Sequence, residues 1–483
     1  MDAAAWRNNL YPQYMAIPSD QKEKTGLVRQ LGLFDTTMII IGIVIGSGIF
    51  LTTGLMAREI PSATLILLAW LFGGLHALAG ALAYGELGAA MPRAGGQYVY
   101  LREAYGPFCG FLFGWVSFTM YLTGIIAALG VGFAEYAGYF IPSIGMANVF
   151  YETEIAFPGW TFQYVLSAGH LTALILVVLL TVVNYRGVTF SKYITNVSSV
   201  IKIAALGLFI LFGLWSGSSQ PIDFRVNAQG IDFGTLMVAF GVALIAVSWS
   251  FAGWEEVTFV AGEAREPARN LPRALVLGTA SVTVVYLLVN YIYLKALPVG
   301  EMAGVVRVGE AAANVLFGEI GAVLLSAAIV ISIVGALNAS VLVGPRVYFA
   351  MARDGLFFRR AGLVHPRYRT PGQAVIFQAA WACVLTLSGT FEDLITFVTF
   401  ANLMLWIAGA AAVFTLRRKR PDLPRPYKTW GYPAVPLLFI AGSAGILVNM
   451  LFETPVESIA GLALTALGIP AYLFLRRRTR AAS

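Results

Sequence analysis

Twelve stretches of this chain stay apolar for about as long as a helix needs to cross a bilayer, at about 33–56, 62–91, 106–141, 166–185, 192–216, 231–262, 272–297, 317–353, 371–388, 392–416, 432–453 and 455–477. A hydrocarbon core of ~30 Å takes roughly 20 helical residues to span. Nothing constrains the fold more, because hydrocarbon offers a backbone N–H or C=O no partner and each stretch has to satisfy its own. Charged residues make up only 12% of the chain, against about 25% in soluble domains. The fold class is therefore an all-α polytopic membrane protein with 12 transmembrane helices.

Charge orients the bundle. With the N-terminus in the cytoplasm, all of the 32 Lys and Arg except Arg58, Arg225, Lys295 and Arg307 fall at or toward the inner side. The positive-inside rule then places both termini in the cytoplasm of a multi-pass protein of the cell membrane. The basic runs "RRKR" (417–420) and "RRRTR" (476–480) read as inner-leaflet anchors in the lipid bilayer, which removes nucleic acid as the partner of a +7 chain. The first thirty residues are too polar for a signal peptide's apolar core. Cys109 and Cys383 form no metal pattern or disulfide framework, and His76, His170 and His365 are scattered packing residues. No metal site or cofactor is expected.

Within the first span the run "IIIGIVIGSGIFLTTG" places Gly46-Ser47-Gly48 at mid-depth. Glycine costs roughly 1 kcal/mol relative to alanine in a helix interior. Gly42 and Gly46 also make a GxxxG, a common packing face in membranes. A second interruption decides between packing and a site. The sixth span, "FGVALIAVSWSFAGWEEVTFVAGE", carries Gly253 at its middle with two acids behind it. Spans one and six lie an odd number of crossings apart and so run in opposite directions. Interrupted spans at matching positions of two inverted halves point to a transporter's midplane site.

Four strings carry a resemblance: "GIVIGSGIF" (42–50), "YGELGAAMPRAGGQYVYLREAYGPFCGFLFGW" (84–115), "GEAREPARNLPRAL" (262–275) and "ALNASVLVGPRVYFAMARDGLF" (336–357). Over about residues 30–475 the chain resembles the amino acid–polyamine–organocation permeases, nearest in feel to the L-type amino acid transporter-like and related bacterial branches. The resemblance implies a five-plus-five inverted-repeat fold with broken helices 1 and 6, alternating access, and transport of amino acids or related amines. It divides the chain into a cytoplasmic tail (1–30), a first repeat (31–216), a second repeat (231–416), two extra C-terminal helices (432–477) and a short tail (478–483).

The breaks suit a zwitterion. The half-helix after the first break aims its free N–H groups and positive dipole end at the gap, where a carboxylate fits. Gly46, Ser47 and Gly48 let it come close. The carbonyls that end the preceding half-helix, around Ile43 and Ile45, and those near Phe251 and Ala252 beside Gly253, suit an ammonium group. Trp249, Phe251 and Trp254 surround the second break; the family's sixth span lines its pocket, so they imply neutral, medium-to-large side chains.

Two ions of the chain need explaining. A carboxylate at mid-depth costs about 2.5–3.5 kcal/mol on insertion scales, so it faces a cavity or a partner. Glu255 matches a position that is acidic in several branches of the superfamily, where it looks like a proton-coupling group. Glu256 points about 100° away on an α-helix and is expected to pair with a polar group on a neighbouring helix. Lys202, in "SVIKIAALGL" of the fifth span, either snorkels to the interface or stands where sodium-coupled relatives hold an ion, tethering the first half-helix by its carbonyls. The second reading predicts sodium independence.

The expected function is a secondary active transporter of neutral amino acids, by proton symport or amino acid exchange. A cationic amino acid or polyamine antiporter, with Glu255 on the distal amine, is the alternative. An amino acid sensor is the alternative of another class, though the tails leave it little cytoplasmic domain. No GxxxxGK[ST] loop supports ATP-driven transport, and no nucleophile–base or metal constellation supports an enzyme. The loop at about 142–165 has no cysteine where heteromeric relatives carry one, so no disulfide-linked heavy subunit is expected.

Overall fold

The computed structural model describes residues 29–157, 160–217, 220–225 and 232–481. The expected N-terminal tail lies outside the described residues but for Arg29 and Gln30, as do the last two residues of the C-terminal one.

The first span is two helices, α1 (Leu33–Val44) and α2 (Gly48–Glu59), bent by 41° at the Gly46 region. A long α3 (Ala63–Ala90) leads to a short α4 (Gln97–Tyr105). The third span is α5 (Pro107–Val116), a π-helical turn (Ser117–Tyr121) and α6 (Leu122–Phe140). Strands β1 (Val149–Phe157) and β2 (Trp160–Ser167) pair antiparallel before α7 (Ala168–Arg186), so residues 166 and 167, expected in the fourth span, end a hairpin instead. Then come α8 (Val188–Trp215) and α9 (Phe233–Phe251), which continues after Ala252-Gly253 as a 3-10 helix (Trp254–Glu263). α10 (Pro267–Ala296), the single turn α11 (Val299–Met302), α12 (Val308–Val343), α13 (Pro345–Arg353), α14 (Gly372–Thr386), α15 (Phe391–Lys419), α16 (Ala434–Glu453) and α17 (Pro455–Ala481) follow.

By length and composition ten of the described helical segments can cross a membrane, eleven with the bent α1–α2 pair as one. The expected span at 371–388 falls short. Its helix, α14, has 15 residues, about 22 Å at 1.5 Å per residue. Pro371 starts it and Leu387-Ser388-Gly389 ends it. Among the described residues eleven spans of crossing length and one shorter apolar helix therefore stand where twelve spans were expected.

α8 explains how a bundle in lipid carries so much polarity. Its outer face is apolar and exposed, with Tyr193, Val200, Leu211 and Phe212, while Ser191, Thr195, Ser198, Ser199 and Lys202 share a buried face. That face meets α7 and α12 through a closed set of hydrogen bonds. Asn184 donates to Asn338 Oδ1 at 2.9 Å, Ser191 to Asn184 Oδ1 at 2.7 Å, and Asn338 to Thr195 Oγ1 at 2.9 Å. Asn184, Ser191, Thr195 and Asn338 satisfy one another there, as a low-dielectric interior demands, while Ser199 Oγ is buried without a hydrogen-bond partner among the described residues.

Charges gather at one end of the bundle. Glu86, buried at the end of α3, accepts from Arg417 Nε and Nη2 at 2.9 and 2.6 Å and from Thr429 N and Oγ1 at 2.7 and 2.8 Å; Arg425 lies 3.4 Å away. The carboxylate pins α3 to the α15–α16 connection. Removing one partner of a buried pair costs about 3–5 kcal/mol. Arg417 keeps some solvent contact, so Glu86→Ala is expected near the lower end, about 3 kcal/mol, read as a lowered thermal transition in detergent.

Candidate functional site

The two breaks face each other. At the first, Gly46 N–H turns back onto Val44 O at 2.8 Å and Phe50 N–H bonds Ser47 O at 3.1 Å. The opening N–H groups of α2 have no acceptors within their own helix. Ser47 Oγ is buried without a hydrogen-bond partner among the described residues. At the second, Ala252 is extended and Gly253 has φ 97°, a left-handed value that favours glycine. A Cβ at Gly253 would also run into Ile43 Cγ2.

Three carbonyls at the end of α1, those of Gly42, Val44 and Ile45, are engaged. Lys202 Nζ, 1% exposed, donates to Gly42 O at 2.9 Å and Ile45 O at 2.6 Å. Ser332 Oγ of α12 reaches Ile45 O at 3.1 Å. Tyr286 of α10 places its hydroxyl 2.7 Å from Val44 O and 3.0 Å from Ser250 O, so one group spans both breaks. Thr52 Oγ1 and Ser250 Oγ, 3.0 Å apart, tie α2 to α9 from the other side. Lys202 thus tethers the half-helix and does not snorkel.

Between the breaks lies a small pocket lined by Ile43, Val44, Gly46, Ser47, Gly48, Ile125, Leu129, Trp249 and Ala252. Of the expected binding residues, Ile43, Gly46, Ser47, Gly48, Trp249 and Ala252 line it. Ile45 is not among the lining residues and its carbonyl is taken by Lys202 and Ser332, while Gly253 supplies the turn. Phe251 and Trp254 are not among the lining residues. Phe251 packs on Trp70 and Tyr286, with ring centroids 6.1 and 5.1 Å away, and Trp254 on Tyr84 and Trp406 at 5.0 and 5.6 Å.

Glu255 also lies off the pocket lining. Its Oε1 accepts from Tyr121 at 2.6 Å and from Trp406 Nε1 at 2.7 Å. Glu256 Oε1 stands 3.4 Å from the same Tyr121 hydroxyl. Glu256 therefore meets a polar group of a neighbouring helix, as expected, but the two acids share it. This stretch is a 3-10 helix, in which neighbours point about 120° apart, yet both Oε1 atoms come within reach of the one Tyr121 hydroxyl.

Sequence reasoning left out Ile125, Leu129, Tyr286, Tyr121 and Trp406. Ile125 and Leu129 carry the usual signature of packing, and Tyr286 is one aromatic among many. Only the polar group in "VSFTMYLTG", inside an apolar span, hinted at Tyr121. The charges at the basic end pair as gate or topology charges: Arg102 with Asp354, which Tyr98 also reaches at 2.7 Å, and Arg346 with Glu263 at 3.2 Å.

Facing breaks at mid-depth in a helical membrane bundle define a secondary transporter of the broken-helix kind. Residues 31–472 match the family model described as "Amino acid permease". The chain is 34% identical over 462 residues to the serine/threonine exchanger SteT of Bacillus subtilis (strain 168), covering 94% of this chain and 99% of that one. It is 29% identical to the large neutral amino acids transporter small subunit 2 of Homo sapiens, covering 92% and 80%, and 28% identical to the branched-chain amino acid permease BcaP of Bacillus subtilis, covering 99% of each. The chain belongs to the amino acid permease family and is a multi-pass membrane protein.

Proposed function

We propose that the chain carries neutral amino acids without sodium, by alternating access, as an exchanger or a proton symporter. It sits in the cell membrane with its basic end and both termini in the cytoplasm. One observation carries the reading. Carbonyls at the end of α1 are occupied by the chain's own ammonium group at Lys202, while Ser47, whose Oγ has no hydrogen-bond partner among the described residues, and Gly48, which opens α2, line the pocket. A carboxylate fits the N–H end, and a resident cation leaves no task for sodium. The similar SteT, the large neutral amino acids transporter and BcaP favour neutral substrates by the activities in their names. The cationic rival loses support because Glu255 is held by Tyr121 and Trp406 and does not line the pocket.

Proteoliposomes test this. Labelled serine, threonine, leucine and arginine are offered outside, with sodium, a pH gradient or internal amino acid imposed one at a time. Neutral amino acid uptake in choline medium, accelerated by internal substrate or outside acid, is expected. Strict sodium dependence, or uptake of arginine alone, overturns the proposal.

Pocket width should set the preferred side chain. Leu129 Cδ2 reaches to 3.0 Å from where a Cβ of Gly46 would stand. A methylene more or less in an apolar pocket changes discrimination roughly 10- to 200-fold. Leu129→Ala is expected to raise leucine uptake relative to serine by about tenfold, measured by competition.

A further inference from the structure

The third span carries a feature that the site so far leaves unused. Ser117–Tyr121 forms a π-helical turn between α5 and α6. Such a turn bonds i to i+5, holds one residue more than an α-turn and leaves carbonyls out of register; it recurs at functional sites. Here three carbonyls of the turn accept side-chain hydrogen bonds. Tyr348 of α13 reaches Ser117 O at 3.2 Å, Thr123 reaches Phe118 O at 2.7 Å, and Trp381 of α14 reaches Thr119 O at 3.0 Å. Three bonds from three elements clamp the turn.

The clamped turn ends at Tyr121, whose buried hydroxyl lies 2.6 Å from Glu255 Oε1 and 3.4 Å from Glu256 Oε1. Both acids are fully buried, and the second oxygen of each has no partner among the described residues. A hydroxyl has one proton to donate, so it serves one acid at a time, and here that acid is Glu255. Beyond Tyr121 the same helix presents Ile125 and Leu129, four and eight residues on, to the pocket. The pocket wall and the hydroxyl that meets the acids therefore sit on one continuous helical span, Tyr121 and Leu129 about 12 Å apart at 1.5 Å per residue.

We propose that Tyr121 is a positioning residue that couples the pocket to the acid pair. A shift of α6 against a bound side chain moves the Tyr121 hydroxyl between Glu255 and Glu256, and the clamped π turn sets the register that makes this possible. Removing the extra residue turns Tyr121 by about 100° and takes it from both acids. The proposal rests on the transport reading above and concerns how the pocket's occupancy reaches the sixth span.

The test uses the full chain in proteoliposomes and in detergent, with leucine and serine as probes. Tyr121→Phe keeps the ring and removes the hydroxyl. Its substrate affinity, measured by binding, is expected within about twofold of the parent, with exchange slowed at least tenfold at saturating substrate. Thr123→Val, which frees Phe118 O, is expected to show the same split more weakly. If the parent exchanges amino acids and both variants exchange at its rate, the proposal is overturned while the transport reading stands. Affinity and thermal stability falling together in both variants also overturn it, because that is the mark of a packing residue. A parent that exchanges nothing removes the transport reading itself.

Discussion

Lys202→Met is expected to abolish exchange. The methionine fills nearly the same space but brings no donor to Gly42 O and Ile45 O, which Lys202 holds at 2.9 and 2.6 Å. Hydrogen bonds from a charged group are worth roughly 1.5–3 kcal/mol each. Losing two releases the end of α1 from α8 by some 3–6 kcal/mol, and every 1.4 kcal/mol is a factor of ten. Exchange should fall at least 100-fold with the protein still folded, as checked by its elution as a single species and its thermal transition. Lys202→Arg should not restore it, because the larger planar fork has to fit a face closed by Ser199 and Ser332. In the parent, rates in sodium and in choline should match. Exchange by Lys202→Met within about threefold of the parent would show that the tether is dispensable.

Gly48→Ala should remove substrate binding, while Gly46→Ala should leave most of it. A Cβ at Gly48 would stand 2.5 Å from Ser250 Oγ and 2.7 Å from Ser250 Cα, so the backbone of α9 has to move. Overpacking of this kind costs about 1–3 kcal/mol, and it falls where α2 and α9 meet through Thr52 and Ser250. A Cβ at Gly46 meets only the end of the Leu129 side chain, at 3.0 Å, and that end can swing aside. Leucine binding by the two variants, measured alongside thermal stability, separates the cases. Equal losses in both would mean that the break tolerates no side chain anywhere and that the close approach at Gly48 has no special weight.

The parts legible in the sequence are those whose signal is local. Gly46-Ser47-Gly48 and Gly253 break their helices through their own backbone preferences, and a lysine at Lys202 is conspicuous in an apolar span. What the sequence hid depends on partners far along the chain. Tyr286 reads as an ordinary membrane tyrosine until Val44 O and Ser250 O converge on it from residues 242 and 36 positions away. Phe251 and Trp254 share their type with Trp249, but Phe251 stands about 200° round α9 from Trp249 and Trp254 comes after the left-handed turn at Gly253. Glu255 and Glu256 point well apart along their own helix, and only the fold brings the Tyr121 hydroxyl of another span within reach of both. The span at 371–388 was long enough by composition, but Pro371 and the Leu387-Ser388-Gly389 stretch leave only the 15 residues of α14 between them.

The Glu86 cluster has a consequence for the order in which the protein is made. Glu86 enters the membrane with the second span, yet Arg417 lies 331 residues later and Thr429 lies 343 residues later. At about 5–20 residues per second, a carboxylate that ends up buried waits on the order of 15–70 s on the ribosome for its cations. During that interval the early helices hold an uncompensated acid at their rim, exposed to lipid headgroups and water, and the bundle's ring stays open on that side. Chains that stop before residue 417 never acquire the closing pair, so the segment from Arg417 to Thr429, near the end of the polypeptide, fastens a helix near its beginning.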